Sequence, residues 1–148
     1  MTTARFGDRA SFAVEVGGVA TPGLRVVDLW LAGKRLTVKD NAAYAPSLSF
    51  YMRRDAHRVR ESDIPPRPSP SRDPAEIYRL LQADERFWFM RWTEIVDNVS
   101  AYAYLDEDLV ILFSLRREDH EEQGEARLPP KRFLAIVEEA AGMLEAGS

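Results

Sequence analysis

The chain has 148 residues, the length of one ordinary domain, and its 45 % hydrophobic content is too apolar for a disordered chain. Twenty basic against 24 acidic side chains leave a net charge of −4, which speaks against general binding to a phosphate backbone. The absence of cysteine removes disulfides, thiolate nucleophiles and cysteine-ligated metals in one step.

The opening residues, Met1 to Arg9, lack the basic region and apolar core of a signal peptide. No apolar run approaches the roughly 20 residues that cross a bilayer. The expectation is a cytoplasmic protein with no membrane partner. Phe12, Val14 and Val16 alternate with Ala13 and Glu15, the period of a half-buried strand. Gly17-Gly18 is expected to break that strand, and Thr21-Pro22-Gly23 to turn the chain. Leu24 to Leu31 is apolar on both faces, as in a strand that is central or covered on both sides. Gly33-Lys34 then turns into Arg35-Leu36-Thr37-Val38, which predicts a tight hairpin. Asp40-Asn41 ends it by competing for backbone hydrogen bonds.

Pro46 suits the first turn of a helix, and Leu48, Met52, Ala56 and Val59 continue from it as a helical stripe, with Arg53, Arg54, Arg58 and Arg60 largely off it. Residues 62–74 form a proline-rich loop or linker, with five prolines between Ile64 and Pro74. Asp73-Pro74-Ala75-Glu76 caps a short helix from Pro74 to about Gln82. The aromatic run Arg86 to Trp92 reads as a strand. Val99 to Leu105 and Leu109 to Leu115 make a hairpin across the charged turn Asp106-Glu107-Asp108. Glu118 to Glu125 reads as an acidic loop, and Pro129-Pro130 opens a last helix with Phe133, Ile136, Val137, Ala140 and Leu144 on one face. Together these predict a single α+β domain over residues 1–148: a twisted antiparallel sheet of about six strands with helices packed on one face.

Catalytic constellations are sparse. Glu118-x-His120-x-Glu122 has the composition of a metal set, but it lies in a hydrophilic stretch before Gln123-Gly124 and reads as a solvated charge run. His57 sits among arginines with no nucleophilic serine motif beside it. Asp40, Asp97, Asp106 and Asp108 stand at strand ends, where turns recruit aspartate for local reasons. No phosphate-binding glycine loop is present. The expectation is therefore no catalytic residue, no metal and no cofactor. Phe87, Trp88, Phe89, Trp92, Tyr102, Tyr104 and Trp30 read first as core and second as a protein-binding patch. Charge is unevenly placed: residues 53–72 hold six arginines, whereas residues 106–125 hold eight carboxylates against Arg116 and Arg117. Such an acidic stretch would steer a basic partner onto the protein.

Three stretches carry a resemblance: Phe6-Gly-Asp-Arg9 with Phe12-Ala-Val-Glu-Val16, Asp28-Leu-Trp30-Leu-Ala-Gly33 through Leu36-Thr37 to Asp40-Asn41, and Asp97-Asn98-Val99-Ser-Ala-Tyr102. The arrangement resembles small proteins of high-GC bacteria and, more distantly, the immunity proteins of bacterial polymorphic-toxin systems. That resemblance implies a non-enzymatic inhibitor that docks onto a cognate toxin domain and blocks it. It transfers no contact residue by position. Charge instead nominates Asp106, Glu107, Asp108, Glu118, Asp119, Glu121 and Glu122 as the surface for a basic toxin domain, with Tyr102 and Tyr104 as aromatic anchors and with no nucleic-acid partner. The alternative is a small enzyme or ligand-binding domain with a pocket in the sheet.

Overall fold

Strands β1 (Ala4–Asp8) and β2 (Phe12–Thr21) open the fold as an antiparallel hairpin in the computed structural model, which describes residues 3–146. Asp8 closes their turn by accepting from the Ala10 N–H at 2.9 Å, the local bond that suits aspartate to turns. Gly17-Gly18 bends β2 without ending it, because the register shifts between Val16 and Val19 and again before Thr21 mark a bulge. The chain reverses at Pro22-Gly23, where Gly23 has φ +87°, as the third position of a type II turn requires.

Strand β3 (Leu24–Leu31) is central in this first sheet, with β2 on one edge and both β4 (Lys34–Arg35) and β5 (Ala42–Tyr44) on the other. Its burial alternates: Arg25, Val27, Leu29 and Leu31 are buried and the residues between them are half-exposed. Centrality, not a second covering layer, explains its apolar run. Ala32 and Gly33 both have positive φ, 51° and 81°, the primed turn that matches strand twist. The expected hairpin therefore forms, but its second strand is only two residues long. Leu36 is buried, and Thr37 donates its hydroxyl proton to Asp28 Oδ1 at 2.6 Å, drawing the chain off the sheet.

Helix α1 (Ala45–Arg60) buries Leu48, Met52, Ala56 and Val59 as the stripe requires. Helix α2 (Pro74–Gln82) begins where expected, with Asp73 Oδ1 accepting from the Ala75 N–H at 3.1 Å. Between them the proline-rich segment is docked, since Ile64 is buried and Pro65 O accepts from the Leu105 N–H at 2.9 Å. The second sheet runs β6 (Trp88–Phe89), β7 (Val99–Asp106), β8 (Asp108–Arg116), β9 (Glu121–Leu128), all antiparallel. β9 corrects the expected acidic loop. From Glu121 onward that segment pairs with β8 from Leu109 to Arg116, and Gly124 lies opposite Phe113. A Cβ on Gly124 would stand 2.5 Å from the Phe113 ring; the missing side chain makes room for the ring.

Helix α3 (Pro130–Ala146) packs on α1 and reaches β1, β2 and β8, so it ties the two sheets together. Its Phe133 stacks on Phe12 of the first sheet at 5.1 Å and meets Phe89 of the second at 5.2 Å, separations typical of favourable aromatic pairs. One core runs from Phe12 to Leu144 and so draws on both sides of the proline segment. A smaller core lies on the other face of the second sheet, where α2 covers Tyr102, Tyr104, Val110 and Leu112. The α+β class and the antiparallel pairing are as expected. The finer geometry is not: among the described residues nine strands form two sheets, and the helices cover both faces of the second. Among the described residues no helix is long and apolar enough to cross a membrane.

Candidate functional site

Asp55 falls on the buried stripe of α1 and is 1 % exposed. A charge there must be paired and hydrogen-bonded to be tolerated. Its Oδ2 accepts from the Met90 N–H at 2.9 Å and from Trp92 Nε1–H at 2.8 Å. Its Oδ1 accepts from Arg58 at 3.2 Å, and the same guanidinium donates to Trp88 O at 2.7 Å and Arg86 O at 2.8 Å. These bonds explain why residues 86–92, expected as a strand, are strand only at Trp88–Phe89. The side chains of α1 take backbone groups that a partner strand would otherwise take, and Met90 is held at φ +54°. The clamp buries Phe89, Met90 and Trp92 while leaving Trp88 44 % exposed and Arg91 half-exposed beside it.

Arginines and aromatics therefore meet on one face. Arg91 lies 5.1 Å from the ring centres of both Trp88 and Tyr102, and Arg54 lies 4.8 Å from that of Tyr51. Such contacts hold a guanidinium in place by cation–π attraction without neutralising it. Three open grooves adjoin here. The largest, about 660 Å³, lies between α1, Ser62–Pro66 and residues 85–91. A second, about 520 Å³, separates Tyr51 and Arg54 from residues 91–100 and Arg116. The third, about 600 Å³, runs past Pro46 and Phe50, which is 65 % exposed. Arg54 lines all three. Among the described residues neither Arg54, Arg91 nor Arg116 is in ion-pair contact with a carboxylate. Asp63, Glu85 and Asp97 stand on the groove walls and temper the positive charge.

The acidic residues nominated from sequence do not come together. Asp106, Glu107 and Asp108 form the tip between β7 and β8, with Glu107 at φ +61°. Glu118 and Asp119 lie beyond the far end of β8, where Arg116 pairs with Glu121. Eight residue steps along β8, from Asp108 to Arg116, separate the two ends, about 26 Å at 3.3 Å per residue. Nor are all the carboxylates beyond β8 free, since Asp119 is bonded to His120 Nδ1 at 2.6 Å. Glu122 is contacted by His120 Nε2, Arg117 Nε and Lys34 Nζ at 3.0–3.1 Å, and these partners hold its carboxyl down at about 2. Glu118 and Asp119 share a groove with Lys39 and Arg117.

Tyr102 and Tyr104 are corrected as surface anchors, being 6 % and 2 % exposed beneath α2. Burial pushes the Tyr104 phenol above its ordinary range. Strand alternation sent both tyrosines to one face, but it did not reveal that α2 would cover that face. His57 is exposed on α1. No group of three or more histidine or carboxylate side chains among the described residues is placed to hold a metal ion.

Sequence reasoning missed Asp55 and the arginine face. Its available signal was position: Asp55 follows Met52 by three residues and precedes Val59 by four, which puts a carboxylate on the apolar stripe. No family model, curated protein or solved structure matches the chain.

Proposed function

We propose that this chain is a non-enzymatic binding protein of the immunity type, which docks onto a protein partner through the arginine–aromatic face of α1 and residues 86–91. The observation that carries this reading is Arg54, exposed, outside any ion pair among the described residues, and common to three adjoining open grooves flanked by Phe50 and Trp88. Arginine and tryptophan are the side chains on which binding energy concentrates in protein interfaces. Guanidinium and aromatic faces recognise; they supply no nucleophile. The charge of the face selects an acidic surface on the partner, so the contact proposed here replaces the split acidic segments and reverses the expected charge of the toxin domain.

The test is co-expression with the polypeptide encoded immediately upstream of this chain's gene. The expected result is relief of that polypeptide's toxicity and a stable complex on size exclusion, both lost in the double variant Arg54→Glu, Trp88→Ala. No complex, or one indifferent to the double variant, overturns the reading.

A further inference from the structure

The groove between α1 and residues 91–100 has a chemistry of its own. Three guanidinium groups line it, from Arg54, Arg91 and Arg116, against the single carboxylate of Asp97. Backbone and hydroxyl oxygens fix two of them. Arg116 donates to Ser100 Oγ at 2.9 Å and Asp97 O at 2.6 Å, and Arg91 donates to Ala101 O at 3.3 Å. Neutral acceptors orient a guanidinium but leave its charge uncompensated, and like charges lining one groove favour a bound anion.

Two polar atoms in the groove wall, Arg91 Nε and Thr93 Oγ1, are buried with no hydrogen-bond partner among the described residues. Buried polar groups ordinarily find a partner, and two such atoms on one wall are placed to bond a ligand in the groove. Thr93 is the more telling. It stands at the cap position of the 3₁₀ turn Glu94–Val96, where a threonine oxygen ordinarily accepts from the turn's own backbone, yet it makes no such bond.

We infer that this groove is an oxyanion-binding site, in which Arg54, Arg91 and Arg116 take a carboxylate or phosphate group. The inference goes beyond the docking reading. The site's preference follows from planar, multi-donor guanidinium forks, which suit two-oxygen anions and discriminate against a spherical ion such as chloride. An acidic side chain of a docked partner and a free phosphorylated ligand share that chemistry.

The experiment is a titration of the isolated chain by ¹⁵N NMR, with inorganic phosphate in one arm and a blocked Asp/Glu-rich peptide in the other, each matched in ionic strength by sodium chloride. Saturable shifts at residues 91–100 and along α1 are expected in at least one arm. Phosphate alone points to a free ligand, and the peptide to a protein carboxylate. Arg54→Gln, on the exposed side of α1, is expected to weaken binding about tenfold or more, the weight of one charge-assisted hydrogen bond. Arg91→Gln should do the same, and Arg54→Gln keeps the test valid if that variant fails to fold. Arg132→Gln, which removes the same charge from the outside of α3, should change binding less than about twofold, as screened exposed charges do. Shifts that chloride reproduces, that never saturate, or that Arg54→Gln and Arg132→Gln reduce equally overturn the site. Partner docking is read out separately, by complex formation, so either proposal can fail without the other.

Discussion

Asp55 and Trp92 are joined by a 2.8 Å hydrogen bond, indole Nε1–H to carboxylate, between two side chains that are each 1 % exposed. The same oxygen also receives the Met90 N–H, so one carboxylate fixes both the backbone and the side chain of the segment that carries Trp88 and Arg91. Asp55→Leu would leave the indole, the amide and Arg58 without that acceptor. Breaking a buried charged pair by removing one partner costs about 3–5 kcal/mol. Asp55→Asn retains one acceptor oxygen and is expected to cost less, about 1–3 kcal/mol. Urea unfolding checks both, and a Leu variant as stable as the parent would show that the clamp is dispensable.

What the sequence disclosed follows from what is local. The stripe Leu48, Met52, Ala56, Val59 and the faces of Val99–Leu105 depend on periodicity within one element, and both were legible. The pairing of Glu121–Leu128 with β8 was not, because Glu121, Gln123 and Glu125 face outward on an edge strand and leave little apolar alternation to detect. The arginine face was illegible for a further reason. Its parts lie about forty residues apart in the chain, at Arg54 and Arg91, and the Asp55–Arg58 clamp and the core shared by Met52, Phe89 and Trp92 bring them together. Conversely, the acidic residues looked like one surface because they are near in sequence, and a straight strand carried them apart.

Two glycines separate steric from entropic effects. At Gly124 an added Cβ meets the Phe113 ring at 2.5 and 2.8 Å, and that ring is fully buried. Gly124→Ala is expected to destabilise by about 1–3 kcal/mol, as overpacking does. At Gly142 in α3 an added Cβ meets nothing within 4 Å, and alanine loses less entropy than glycine in a helix. Gly142→Ala is expected to stabilise by about 0.5–1 kcal/mol. Thermal unfolding of the pair should move the midpoint in opposite directions.

The turn into β9 carries a pH dependence with two limbs. Glu122 is held at about 2, chiefly by His120 and then by Arg117 and Lys34. Its contribution is present above the ordinary 4.5 and is lost as pH falls toward about 2. His120 is raised above its ordinary 6.5, chiefly by Asp119 and then by Glu122. Its contribution is full below 6.5 and is lost as pH rises through the raised value. The turn is thus held best between the two ordinary values. An NMR titration should place His120 above 6.5, with Asp119→Asn lowering it more than Glu122→Gln. A His120 that titrates at its ordinary value would remove the latch.

Charge reversal on the two candidate faces decides which one docks. Arg54→Glu changes an exposed residue at the junction of three grooves, and truncating or reversing a central anchor costs about 2 kcal/mol or more of affinity. Stopped-flow association with the partner should show a slower on-rate at low salt and a faster dissociation at all salts. The triple variant Asp106→Lys, Glu107→Lys, Asp108→Lys alters a tip, exposed at Asp106 and Glu107 and half-buried at Asp108, about 26 Å from the β9 turn. Folding should survive it. Because the proposed partner surface is acidic, the added positive charge should leave dissociation unchanged and speed association modestly at low salt. The opposite pattern, a triple variant that no longer binds beside an Arg54→Glu that does, would return the contact to the acidic tip and to a basic partner.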